Sequence, residues 1–180
     1  MENKSAVIFD FDGTLYDKKN FALHLVLPHL FQSLKMKAER KARKSLKGKY
    51  FGSSQEFYNA FFAEISRQTK ISPQKIGNWY SRKYLPLMTK ILQKKYNAFP
   101  QTEEIFRNLR KAGIKTIVYS DYSCVAERMT AIGLDPSLAD ILLSAEEAGG
   151  LKPAAEPLLQ LAQKINVKPE NILFIDDMTK

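Results

Sequence analysis

The run Val7-Ile8-Phe9-Asp10-Phe11-Asp12-Gly13-Thr14-Leu15 constrains this chain more than any other stretch. Its apolar, partly β-branched start has no helical spacing and reads as a strand buried on both faces. The strand ends in Asp10 and Asp12, and Gly13 then permits a sharp turn. Residues i and i+2 of extended backbone point to the same side, so the two carboxylates can converge. Two anions held together repel and lose hydration, and a bound divalent cation is the usual compensation. A strand end followed by an Asx turn is the plainer alternative, and the rest of the chain has to decide between them.

Residues 99–177 alternate between helix and strand patterns. A helix over 101–112 places Ile105, Phe106 and Leu109 on one side and is ended by Gly113. A strand follows at 114–119, then a helix over 122–132, a short strand at 140–143, a helix over 153–165 and a strand at 172–175. That alternation specifies a parallel α/β sheet. Residues 18–98 instead carry apolar positions at three- and four-residue spacing and read as about four helices. Pro28 should kink or split the first of them. The helices expected over 55–69 and 73–95 have Ser54 and Ser72 as candidate caps and Pro73 at a first helical position. The fold class is therefore α/β, a Rossmann-like parallel sheet formed by 1–17 and 99–180, with 18–98 inserted as a helical cap.

Charge divides along the same boundary. The chain has 180 residues and a net charge of +9, yet residues 18–98 hold 18 Lys or Arg against only Glu39, Glu56 and Glu64. A basic insert beside an acidic remainder suits an anionic, phosphorylated small molecule. It also allows nucleic acid or an anionic membrane surface. The basic run at 35–49, which includes Arg43, is expected to be a solvated helix face. The interleaved aromatics Phe57, Tyr58, Phe61 and Phe62 have core spacing before they have the look of a stacking platform. His24 and His29 are five apart and do not share a helix face, so neither is expected to bind metal. No apolar run approaches the roughly 20 residues of a membrane span. The first residues run into a strand without a signal-peptide pattern, and the single Cys124 fits a reducing cytoplasm.

Three expected strands end in polar residues: Asp10 and Asp12, Ser120 and Asp121, Asp176 and Asp177. In a parallel sheet these ends share the edge where ligands bind. Gly149-Gly150-Leu151-Lys152-Pro153 brings a lysine to the same rim. Acidic groups around one lysine and one hydroxyl suggest Mg²⁺ beside a phosphoryl group, and oxygen donors without a Cys/His cluster favour Mg²⁺ over Zn²⁺.

Asp10-Phe11-Asp12-Gly13-Thr14-Leu15, Ser120, Lys152-Pro153 and Phe174-Ile175-Asp176-Asp177 resemble, in order, the four motifs of the haloacid dehalogenase superfamily. The insert is similar to that superfamily's small helical cap. The resemblance implies a hydrolase in which Asp10 is the nucleophile that forms an aspartyl-phosphate and Asp12 is the general acid and base. It also implies Ser120 as a phosphoryl-oxygen donor and Lys152 as the charge-balancing cation. Mg²⁺ would be held by the Asp10 side chain, the Asp12 backbone carbonyl and the acidic pair, with Asp177 the better match to the metal ligand and Asp176 beside it. An acid at position 12 favours phosphoryl transfer over dehalogenation. The expected activity is hydrolysis of a small phosphorylated metabolite. A phosphomutase is the enzymatic alternative, and an anion- or nucleic-acid-binding protein with weak catalysis the non-enzymatic one. Members of that superfamily continue through a further helix and strand, so the core is expected to be short at its C-terminal end, whether as a fragment, as a fold that ends early, or with an oligomer covering that edge.

Overall fold

β1, Ala6–Asp10, is buried at every position, and its side chains alternate between the two faces of a sheet. The structure is a computed structural model that describes residues 4–177. Residues 1–3 and 178–180, the outer ends assigned to the core from sequence, lie outside the described residues. β2 (Lys115–Ser120), β3 (Ile141–Ser144) and β4 (Ile172–Ile175) complete a parallel sheet in the order β3-β2-β1-β4. Ile8 stands opposite Ile117 on one side and Phe174 on the other, so Asp10, Ser120 and Asp176 come out at one edge. This is the parallel α/β architecture expected from the alternation of patterns.

Each face of the sheet has its own cover. Val7, Phe9 and Val118 pack against Phe106 of α6 (Thr102–Lys111) and against Val125 and Met129 of α7 (Val125–Ala131). The Phe9 and Phe106 rings stack with centroids 4.7 Å apart. Ala6, Ile8, Ile117 and Tyr119 face the other way, toward Leu161 of α8 (Glu156–Lys164). That cluster continues without a break into the helical insert through Met36, Phe57, Phe61 and Tyr80. The aromatics at core spacing are therefore core residues.

The insert contains α1 (Phe21–Val26), α2 (Ser33–Leu46), α3 (Ser54–Thr69), α4 (Pro73–Trp79) and α5 (Leu85–Lys95). Pro28 does what its missing N–H demands: α1 stops, a 3₁₀ segment runs over Leu27–Gln32, and His29 leaves helical geometry. The cap of α3 is Ser53 rather than Ser54, its hydroxyl accepting from the Glu56 N–H at 3.2 Å. Ser72 precedes α4 but makes no side-chain cap bond. The single helix expected over 73–95 is widened into a π-helical turn at Tyr80–Tyr84. Pro86 explains the position, because it cannot donate to the Arg82 carbonyl and its ring would crowd it.

Two loops join insert and sheet by backbone alone. Phe51 N–H donates to Gly149 O at 2.8 Å, and Gly48 N–H donates to Leu151 O at 3.2 Å. A Cβ on Gly149 would lie 2.8–2.9 Å from the Ser53 backbone, and one on Gly150 2.8 Å from Lys49 O, so only glycine permits this approach. Lys152 follows directly and is thereby fixed under the insert. Among the described residues no helix is long and apolar enough to cross a membrane.

Candidate active site

The carboxyl ends of β1 and β4 bring Asp10, Asp176 and Asp177 together, with one carboxylate oxygen from each inside a 4.8 Å span. Asp10 is buried, and Lys152 forms an ion pair with its Oδ1 while also donating to Tyr119 O at 3.1 Å. Burial pushes the Asp10 carboxyl up to about 6 against the pull of Lys152. Gly13, at φ +98°, turns the chain tightly enough that a Cβ there would sit 2.4 Å from Asp177 Oδ2. The same turn aims the Asp12 carbonyl at this cluster, where it accepts from Lys18 Nζ at 3.1 Å. Lys18 also pairs with Asp177 Oδ2 at 2.5 Å.

These groups line a cavity of about 410 Å³. Lys18, Lys47 and Lys152 supply positive charge, and Tyr122, Leu158 and Phe174 supply apolar wall. The cavity is large enough for a small phosphorylated molecule and carries cations where its anionic groups would lie.

Asp12 faces a different environment from Asp10 two residues away. Arg128 of α7 grips it with two bonds from one nitrogen, at 2.6 and 2.8 Å, and the Tyr16 hydroxyl donates to it at 2.6 Å. Burial opposes ionisation of Asp12, but the Arg128 charge and these donors hold its carboxyl below the ordinary value. Ser120, expected to hold a phosphoryl oxygen, is fully buried behind Asp12. Its hydroxyl accepts from Arg128 at 2.7 Å and from the Tyr122 N–H at 3.1 Å, so it buttresses this pair instead of facing the cavity. Asp10, Asp12, Lys152, Asp176 and Asp177 do line the cavity. Arg128, Tyr16 and Lys18 had not been singled out from sequence. Arg128 did leave a trace, since Val125, Arg128, Met129 and Ile132 share one helix face and the arginine interrupts an apolar stripe.

A second charged cluster seals the insert onto the sheet beside the cavity. Arg43 of α2 pairs with Glu39, four residues earlier, and with Glu146 in the loop after β3. Its guanidinium lies 3.7 Å from the Tyr122 ring centre and donates to Asp121 O at 3.2 Å. Glu146 also accepts from Tyr58 at 3.0 Å, from the Ser123 hydroxyl at 2.7 Å and from Tyr80. Arg43 is only 12% exposed and both glutamates are fully buried, so this part of the basic run is not a solvated face. Glu39, the lone acid in the run, was its visible sign.

The donor set at the acidic cluster is oxygen only: three carboxylates and the Asp12 carbonyl. An ammonium already rests against two of these groups, so the position attracts a cation, and its chemistry fits a hard divalent ion such as Mg²⁺.

A parallel α/β core with a helical insert, and an acidic site at its strand ends, is an α/β fold of the kind that binds ligands at the carboxyl ends of its strands. Within that class, the family pattern described as haloacid dehalogenase-like hydrolase matches residues 4–178, and the chain belongs to that family. No curated protein sequence gives a significant match. Similar solved structures include a protein described as a predicted phosphoglycolate phosphatase from Haemophilus somnus, at 19% identity, covering 97% of this chain and 77% of that one, with a TM-score of 0.58. An L-2-haloacid dehalogenase from Xanthobacter autotrophicus matches at 17% identity over 95% and 69% of the two chains, TM-score 0.57. CbbY from Rhodobacter sphaeroides, solved with phosphate, matches at 16% over 95% and 76%, TM-score 0.58. At these identities the likeness speaks to the fold.

Proposed function

We propose that this hydrolase is an Mg²⁺-dependent phosphatase acting on a small phosphorylated metabolite through an aspartyl-phosphate on Asp10. The observation that carries the reading is the buried Asp10–Lys152 pair beside Asp176 and Asp177, in a cavity that also presents Lys18 and Lys47. Asp10 attacks phosphorus, the bond to the leaving oxygen breaks, and the phosphoryl group is held on the carboxylate. Lys152 keeps Asp10 oriented and offsets the negative charge gathering there. When bound among Asp10, the Asp12 carbonyl, Asp176 and Asp177, Mg²⁺ supplies charge neutralisation that lets one anion approach another.

Asp12 is ionised in the grip of Arg128 and Tyr16, which suits the second half of the reaction. There it takes a proton from the water that attacks phosphorus as the bond to Asp10 breaks. In the first half the leaving oxygen needs a proton unless it departs readily as an anion, and Asp12 donates one only after its contacts to Arg128 loosen and it has itself taken a proton from solvent. Two features favour a phosphorylated substrate over a haloacid: the carboxylate at position 12 and the three lysines of the cavity wall. The test is phosphate release from a panel of phosphorylated metabolites, with and without Mg²⁺, by the wild type and by Asp10→Asn. Release that requires both Mg²⁺ and Asp10 is expected, and equal release by Asp10→Asn would contradict the reading.

A further inference from the structure

The cation position of this site holds a cation of the chain's own. Lys18 lies just beyond the turn that follows β1, and its ammonium reaches back over Gly13. It donates to the Asp12 carbonyl at 3.1 Å and pairs with Asp177 Oδ2 at 2.5 Å. These are two of the groups that would hold a divalent ion. The reach depends on Gly13, because a Cβ there would meet Asp177 Oδ2 at 2.4 Å and Lys18 Cδ at 3.0 Å. Lys152, a second ammonium of the site, is spoken for by Asp10 and by Tyr119 O. Lys18 is therefore the group that meets the negative charge on the Asp177 side.

We propose that Lys18 is a tethered counter-ion that occupies the cation position of the metal-free protein, and that a divalent ion enters by displacing it. The inference rests on the metal-dependent reading above. An ammonium and a hard divalent ion compete for the same oxygens, but they are not equivalent. The ammonium makes directional hydrogen bonds on a flexible stem, whereas Mg²⁺ demands several oxygens at short range and in fixed geometry. Lys18 is half exposed, with 49% of its side chain in contact with solvent, so it can swing out without disturbing the core. In this arrangement Lys18 sets the metal threshold of the enzyme. It offsets the mutual repulsion of Asp10, Asp176 and Asp177, and it lowers the apparent affinity for the ion by the fraction of molecules in which it is docked.

Mg²⁺ and Mn²⁺ titrations by calorimetry, without substrate, test this on the wild type, Lys18→Met and Lys47→Met. Lys47 lines the same cavity, and among the described residues no ion pair holds it, so Lys47→Met removes equal charge without vacating the cation position. The expected result is that Lys18→Met binds Mg²⁺ at least about tenfold more tightly, whereas Lys47→Met shifts the affinity by no more than about threefold. Lys18→Gln, which keeps a neutral donor, is expected to fall between Lys18→Met and the wild type. Equal tightening by Lys18→Met and Lys47→Met would show a general charge effect and overturn the proposal, as would unchanged or weaker binding by Lys18→Met. Absence of divalent-ion binding in all of these proteins would overturn the metal-dependent reading and this inference together.

Discussion

Two arginines approach the Tyr122 ring, and they do opposite work. Arg43 lies 3.7 Å from the ring centre and neutralises two buried glutamates, one on its own helix and one on the core. Arg128, 5.5 Å from the same ring, grips a single carboxylate that opens onto the cavity. The first cluster is closed: every carboxylate oxygen of Glu39 and Glu146 has a partner, and in the second cluster Asp12 reaches the cavity. The same chemistry therefore fastens the insert in one place and holds a carboxylate ionised at the cavity in the other. The Arg43 cluster should govern stability, the Arg128 cluster turnover.

Substitution of Arg43 gives the largest effect. Arg43→Met strands two fully buried carboxylates and is expected to cost about 3–5 kcal/mol in urea unfolding. A cost below about 1 kcal/mol would show that the insert is held by its apolar cluster alone.

Next is the titration of Asp10. Its folded value of about 6 lies above 3.8, so between these values the folded state binds more protons than the unfolded chain. Stability should therefore fall as pH rises through this window, by on the order of 3 kcal/mol relative to Asp10→Asn in metal-free buffer. Glu146, held below its ordinary value by Arg43 in spite of burial, carries the opposite sign: its contribution is present above the unfolded value and is lost on acidification. Unfolding of both proteins across pH 4–7 measures the difference, and parallel curves would contradict the raised Asp10 value.

Arg128→Met should reverse the pattern of Arg43→Met. Turnover is expected to fall about 10²-fold, while stability drops by about 1–3 kcal/mol, because Asp12 keeps Tyr16 and partial contact with water. A variant as unstable as Arg43→Met with normal turnover would erase the distinction between the two clusters. Ser53→Ala, whose hydroxyl contacts neither cluster, should cost about 1 kcal/mol through the lost cap of α3 and leave turnover intact.

What the sequence disclosed follows the same division. The strands, the acidic ends of β1 and β4, and the lysine after Gly149-Gly150 were legible, because local patterns and chain order place them. Boundaries shifted where side chains competed with backbone: Ser53 took the cap from Ser54, and Pro86 forced the π-helical turn at Tyr80–Tyr84. Arg43 read as a solvated basic residue because its partner Glu146 lies 103 positions away. Arg128 drew no attention, and the setting of Ser120 was hidden, for a related reason. Sequence spacing brought Ser120 to the right strand end, but only packing shows that its hydroxyl supports Asp12 and Arg128 and does not reach the cavity.

In the proposed reaction Asp10 carries the phosphoryl group while Asp12 waits, ionised, for water. Its most direct measurement is acid quench of enzyme turning over a phosphorylated substrate with Mg²⁺, followed by mass spectrometry of the peptide that contains Asp10. One phosphoryl group is expected on Asp10 in the wild type and none in Asp10→Asn. Substrate turnover with no phosphoryl adduct, or an adduct on another residue, would contradict it.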